Sequence, residues 1–238
     1  MSYLNTKPLV YGLEKHPIQN AEISFYYPAL LAEKLLNDEI DVGLIPVAMI
    51  PKLSESHIIT DFCIGATSPV ATVCLFSNVP IEEIEKVYLD YQSRTSVALL
   101  KILLRDYWHF SPEFIIAEEG FEKKLNGTTA GLIIGDRAFQ AAKDYPYVYD
   151  LASAWINLTA LPFVFAAWVA NKQLPTEFIE EFNLRTGEGL AHIDEIVAAN
   201  PYPLYDLKEY YTENIDYRLD GAKREGLKLF LEKIANNA

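Results

Sequence analysis

The chain has 238 residues, half of them hydrophobic, and carries 20 Lys and Arg against 33 Asp and Glu for a formal charge of −13. That length and apolar content exclude a disordered chain and allow either one large domain or two smaller lobes. The acidic balance excludes nucleic acid as a partner, because phosphate backbones are held by clustered Lys and Arg, and an anionic ligand must rely on local donors such as Lys7, Arg94 and helix ends.

In chain order, Asn5-Thr6-Lys7-Pro8 reads as a polar loop. Leu30, Leu31, Lys34 and Leu35 stand at helical spacing, so residues 28–37 predict a helix, which feeds a buried strand over 40–47 that ends at Pro46. Strands follow at 58–64 and, as a long apolar run, at 70–76. After the turn Asn78-Val79-Pro80 the alternation restarts: strand 86–90, helix 95–108, strand 113–117, helix 121–125, strand 130–134, helix 137–143, strand 147–151 and a helix near 154–158. A second long apolar strand occupies 161–169, too short for a membrane span, and everything after Pro175 reads as helix. The alternation predicts an α/β protein with mostly parallel sheets flanked by helices. No basic, then apolar, leader opens the sequence, so the expected compartment is the cytoplasm.

The two long strands bracket a self-contained αβ block. They suggest two lobes joined by two crossover strands, residues 1–74 with 166–238 as lobe one and 75–165 as lobe two. The ligand is expected in the cleft between them, beyond the carboxyl ends of the strands. Ser93, Arg94, Thr95 and Ser96 put three hydroxyls and a guanidinium at a helix start, where unsatisfied N–H groups and the macrodipole suit a carboxylate or phosphate. Plain capping by Ser93 or Thr95 accounts for the same residues equally well. Thr6, Ser68, Gly135, Asp136 and Thr159 join the candidate binding set, although Gly135-Asp136 also reads as an ordinary turn and N-cap. Cys63 and Cys74 lie in apolar runs without C-x-x-C spacing and read as buried reduced thiols. The four histidines have no partner at i+4, so no metal and no cofactor is expected.

Taken together and in order, residues 2–9 (SYLNTKPL), 41–47 (DVGLIPV), 89–97 (LDYQSRTSV), Ile134-Gly135-Asp136 and 161–166 (LPFVFA) resemble the chorismate dehydratase family of menaquinone biosynthesis by the futalosine route. The resemblance implies the two-lobed fold of type 2 periplasmic binding proteins. It also implies a cytoplasmic enzyme without cofactor that converts chorismate, a dicarboxylate, into 3-[(1-carboxyvinyl)oxy]benzoate and water. The base it implies is the substrate's own enolpyruvyl carboxylate. Asn5 falls on the family's Leu-Asn motif and is implied as catalytic. Residues 65–72 read GATSPVAT where the family has Gly-x-Asp-Gly-x-Val-x-Ser, so Thr72 takes the position of the second catalytic group and keeps its hydroxyl, while Thr67 and Ser68 replace Asp-Gly. A β-branched Thr is stiffer at χ1 and adds a methyl group, which narrows the site.

The chemistry agrees with an inventory poor in buried bases. Loss of one proton and the adjacent hydroxyl makes the ring aromatic, and the charge that develops can spread onto the ring carboxylate, where neutral donors stabilise it. The resemblance also implies an apolar strand ahead of the Asn5 loop, so the N-terminus of this chain is expected to be a weak point for folding. Two other readings of the same fold stay open: a non-catalytic binder of small aromatic acids, and a 1,4-dihydroxy-6-naphthoate synthase. The latter resembles a motif with a His after the Gly-Asp loop, where this chain has Arg137-Ala138-Phe139. Monomer and homodimer are equally compatible with the sequence.

Overall fold

A computed structural model describes residues 3–236. Two sheets organise the chain. The first has the order β1 (Val42–Pro46), β8 (Phe163–Ala170), β2 (His57–Ala66), β9 (Asp216–Arg218). The second has the order β5 (Glu113–Ile116), β4 (Lys86–Leu89), β6 (Thr129–Ile134), β3 (Val73–Ser77), β7 (Tyr147–Asp150).

The α/β class holds, but strand direction corrects the expectation of mostly parallel sheets. Every pairing in the four-stranded sheet is antiparallel, and in the five-stranded sheet only β4 runs parallel to its neighbours β5 and β6. The cause is non-local: β8 returns from the other sheet and inserts between β1 and β2, opposing both. Neither long apolar run crosses between sheets as a strand. β3 belongs wholly to the five-stranded sheet and β8 wholly to the four-stranded one, so the chain passes between them in the connections 67–72 and 160–162.

Local sequence explains the helices that frame the site. α2 (Pro28–Leu36) forms over the helix expected at 28–37, and α3 (Arg94–Asp106) buries Leu99, Leu100, Ile102, Leu103 and Leu104 along one apolar face. α4 (Arg137–Asp144) follows β6 directly, and α5 (Leu151–Thr159) is capped by Asp150, whose carboxylate accepts the Ser153 N–H. The predicted helix at 121–125 is a single 3-10 turn, Phe121–Lys124, entered through Gly120 in the left-handed region.

Two elements depart further from the sequence reading. The Asn5 segment is not a free loop: Leu4–Thr6 form a 3-10 turn that runs straight into α1 (Lys7–Lys15), with Pro8 in its first turn and Leu9, Val10 and Leu13 buried. The end of the chain is not all helical. After α6 (Thr176–Glu188) and α7 (Ile193–Ala199), α8 (Leu207–Glu209) opens into a π-helical turn over Tyr210–Asn214, then β9, then α9 (Gly221–Ala235). α1 packs so closely on α6 that a Cβ at Gly12 would stand 2.3 Å from the Arg185 carbonyl oxygen, and one at Gly189 would stand 2.1 Å from that of Pro8. These two glycines fix the position of α1 and, through it, of Asn5.

Candidate functional site

Asn5 and Thr72 come together, and the group that joins them is Tyr210. Thr72 sits where the 67–72 connection enters β3, 1% exposed, and its Oγ1 is 2.8 Å from the Tyr210 hydroxyl. The same phenol interacts with the Asn5 side chain. Tyr217, in β9, donates its hydroxyl to the Asn5 carbonyl oxygen at 2.9 Å. Gly135, with φ +65°, donates its N–H to the Thr72 carbonyl oxygen at 2.9 Å, which sets the β6–α4 loop beside Thr72. The next residue, Asp136, accepts the Leu4 N–H at 3.2 Å, and Tyr202 donates to its carbonyl oxygen at 3.1 Å.

Electrostatics in this cluster are set by burial. Desolvation raises the Asp136 carboxyl above the ordinary carboxylate range, against the opposing pull of the Leu4 N–H and Lys7. The phenols of Tyr210, Tyr211 and Tyr217 are pushed upward, chiefly by burial, and stay neutral donors at any physiological pH. The arrangement therefore offers neutral hydroxyls and an amide around one carboxylate, a set that can hold and polarise an oxygen-rich ligand. None of the four histidines belongs to the cluster.

Most of the other expected site residues have partners within the fold, Ser93 through the capping that its position also suggests. Ser93 caps α3: its hydroxyl accepts the Ser96 N–H at 3.2 Å and lies 2.9 Å from the Ser96 hydroxyl. Thr95 is fully buried, and its Oγ1 accepts the Ala48 N–H at 3.1 Å, tying α3 to the turn that follows β1. Arg94 is exposed and has no ion-pair partner among the described residues. Ser68 donates to the Glu213 carbonyl oxygen at 2.7 Å, Thr6 to that of Tyr3 at 2.8 Å, and Thr159 turns back on the Trp155 carbonyl oxygen at 2.8 Å. Gly135 lies under the Tyr3 ring, which also hydrogen-bonds to Gln92 beside Ser93. Tyr3 thus spans the loops after β4 and β6.

A second buried cluster adjoins this one. Arg137 bridges Asp90, 3% exposed, and Glu122, and its guanidinium lies over the Tyr91 and Phe121 rings. Burial raises the Asp90 carboxyl, while Arg137 opposes the shift. Arg137 occupies the place after Gly135-Asp136 where a catalytic His was the mark of the rival synthase. Cys63 and Cys74 are free thiols in the core; burial pushes Cys63 up to about 12, which leaves it protonated and inert.

A groove of about 1000 Å³ lies beside the cluster rather than within it. It runs between β1 and the extended segment 21–27, and of the expected site residues only Thr6 lines it. Among the described residues, no helix is long and apolar enough to cross a membrane.

Two sheets with flanking helices, linked by two connections, define a fold class like that of the periplasmic binding proteins. The alkanesulfonate-binding protein SsuA of Xanthomonas axonopodis pv. citri, solved with MOPS bound, has this fold with a TM-score of 0.62 over 95% of this chain and 87% of its own, at 12% identity. Protein AF1704 of Archaeoglobus fulgidus superimposes with a TM-score of 0.76 over 99% of this chain and 94% of its own, at 16% identity.

Within that class the chain belongs to the menaquinone biosynthesis family, whose model matches residues 1–236. A chorismate dehydratase of Thermus thermophilus is 30% identical over 257 aligned positions, covering 98% of this chain and 92% of its own length. Another, of Campylobacter jejuni, is 25% identical over 98% of this chain and 94% of its own.

Proposed function

We propose that this protein is a chorismate dehydratase, a hydro-lyase that converts chorismate into 3-[(1-carboxyvinyl)oxy]benzoate and water. The observation that carries the reading is the joining of Asn5 and Thr72, 67 positions apart in sequence, through the Tyr210 hydroxyl, in a chain similar over its whole length to named dehydratases.

In the reaction the C–H bond of the ether-bearing ring carbon and the C–O bond of the hydroxyl on the adjacent ring carbon break, a double bond forms between those two carbons, and the hydroxyl takes up the proton and leaves as water. The Asn5 amide and the Thr72 hydroxyl hold the substrate hydroxyl and orient it for departure. Tyr210 fixes both of them and is itself too weak an acid to ionise. Charge that develops on the ring carboxylate is met by neutral donors and by the N-terminal turn of α1. As the family resemblance implies, the base is the enolpyruvyl carboxylate of the substrate, and Asp136 acts by holding the Leu4 N–H and so the Asn5 turn.

The reading includes two lobes that close on the substrate. Its lobe boundaries lie in the connections 67–72 and 160–162 rather than at 74 and 166, a reading supported by the passage of the chain from one sheet to the other there. Incubation of the purified protein with chorismate, followed chromatographically, tests the activity. The expected result is formation of the enolpyruvyl benzoate, abolished in Asn5→Ala and Thr72→Ala. Chorismate binding without product would replace the enzyme by a non-catalytic binder of aromatic acids.

A further inference from the structure

Five tyrosines crowd into residues 202–217, and four of their hydroxyls are satisfied. Tyr202 donates to the Asp136 carbonyl oxygen, Tyr205 to Glu209 and Asn214, and Tyr217 to the Asn5 carbonyl oxygen, while Tyr210 meets Thr72. Tyr211 is the exception. It is 2% exposed, and its hydroxyl is buried without a hydrogen-bond partner. A buried hydroxyl left unpaired has lost its hydration without a replacement, so its presence calls for an explanation.

The surroundings supply one. The Tyr210 and Tyr211 rings are 5.7 Å apart, Tyr210 also interacts with the Asn5 side chain, and the Asn5 Oδ1 is likewise buried without a partner. The backbone explains how consecutive tyrosines come to face inward together: residues 210–214 form a π-helical turn, closed by the Ile215 N–H on the Tyr210 carbonyl oxygen at 3.0 Å. Such turns are rare and recur at functional sites. An unpaired donor and an unpaired acceptor thus both belong to neighbours of one satisfied phenol.

We propose that Tyr211 is a substrate-binding residue whose phenolic O–H donates to a carboxylate oxygen of the dicarboxylate, while Asn5 Oδ1 accepts from the substrate hydroxyl. The inference rests on the dehydratase reading and extends it to a residue nothing in the sequence motifs singles out. A neutral phenol suits the task. Asp136 stands close enough to act on the Tyr211 phenol electrostatically, and a donor that cannot ionise adds no second negative charge beside it.

The test is Tyr211→Phe, which removes one oxygen and keeps the ring. Binding of chorismate and of 3-[(1-carboxyvinyl)oxy]benzoate is measured calorimetrically, with steady-state kinetics and the melting temperature alongside. The expected result is a rise of about tenfold in KM and in both dissociation constants, with kcat changed less than about threefold, as for loss of one hydrogen bond to a charged group. The melting temperature should stay level or rise, because an unsatisfied hydroxyl has gone from the core; a merely structural hydroxyl would lower it. Unchanged KM and dissociation constants overturn the proposal. If the wild-type protein binds chorismate without converting it, the dehydratase reading fails while the wild-type to Tyr211→Phe difference in affinity still decides the role of Tyr211. A wild-type protein that binds neither compound overturns both.

Discussion

The hydroxyl of Thr72, at the entry to one sheet, lies 2.8 Å from the phenolic oxygen of Tyr210, 138 residues later in the chain. Both are buried, and the bond fixes a side chain whose β-branched shape already restricts χ1. Tyr210→Phe should therefore lower kcat/KM for chorismate by roughly tenfold or more, since it frees the Thr72 hydroxyl and removes a contact of Asn5, and should cost about 1 kcal/mol of stability. Thr72→Ser should keep kcat/KM within about threefold, because the hydroxyl still reaches Tyr210. Steady-state kinetics of the two variants beside Thr72→Ala check the pair.

Asp136 is the one carboxylate in the cluster, and its burial-raised pKa would suit a general base. A residue that abstracts the proton is typically worth about 10²–10⁴ in rate. If the substrate's carboxylate is the base and Asp136 only anchors the Leu4 N–H, Asp136→Asn should lower kcat by no more than about tenfold, because an amide oxygen can still accept that bond. A loss of a thousandfold would instead assign the proton to Asp136. Single-turnover rates of wild type and variant separate the outcomes.

The contrast between Tyr210 and the residues around 86–159 explains what the sequence makes legible. There three of the four strands lead directly to an α-helix, so periodicity in a short window suffices: Leu99, Leu100, Leu103 and Leu104 mark α3. α1 escaped because its apolar residues are few and follow a Pro-containing polar string that reads as a turn. β9 has three residues, and it exists by pairing with β2 rather than by any preference of its own. Sheet direction was hidden for the same reason, since the insertion of β8 between β1 and β2 is visible only in three dimensions. Within the site, Asn5, Thr72 and Asp136 carry motif signals, whereas the tyrosines arrive from the far end of the chain. The one local hint is their density: five of the chain's 15 tyrosines lie within residues 202–217.

Close backbone contact at Gly12 leads to a prediction that couples packing to function. A Cβ there would stand 2.3 Å from the Arg185 carbonyl oxygen and 2.8 Å from the Glu188 side chain, so α1 or α6 must move. Ala is ordinarily the better helix former, yet Gly12→Ala should destabilise by about 1–3 kcal/mol through overpacking. Because α1 continues directly from the 3-10 turn that holds Asn5, kcat/KM should fall as well. Thermal unfolding and kinetics on the same preparation check both effects; a stabilised variant would contradict the observed approach.

Acid should weaken one particular link. Asp106 closes α3, pairs with Arg105 and accepts from Lys233 of α9 at 2.8 Å; hydrogen bonding to Arg105 is the largest cause that holds its carboxyl well below the usual range. A folded-state pKa below the unfolded value of about 3.9 means that the unfolded chain takes up the proton first. The stability from Asp106 is therefore fully present above about pH 4 and is lost as pH falls toward the folded value. Asp106→Asn should cost about 1 kcal/mol at pH 7, a drop of about 2–4 °C in melting temperature, and the difference from wild type should shrink at pH 3. Melting curves at the two pH values decide it; an equal deficit at both would show that the amide disturbs packing instead.

The groove beside α1 carries the last prediction. Among the described residues β1 pairs with β8 alone, and residues Val42, Gly43 and Leu44 of β1 line the groove. The opposite wall is the extended segment 21–27, where Ile23, Phe25 and Tyr27 are 39%, 42% and 46% exposed at the alternate spacing of one strand face. Tyr3 lies at the same groove, so residues joined ahead of Met1 would emerge within reach of it. A short apolar strand fused there should pair with the free edge of β1 and cover Ile23 and Phe25. Each large side chain withdrawn from water contributes about 1.5–3 kcal/mol before the cost of ordering the strand. The extended chain should melt at least about 4 °C higher than the 238-residue chain, and its Asn5 turn, held from both ends, should give a higher kcat/KM. A control extension of the same length built from Gly and Ser should do neither, since it offers the backbone without the side chains. Equal melting temperatures for the apolar extension and the Gly-Ser control would mean that the groove does not take a strand.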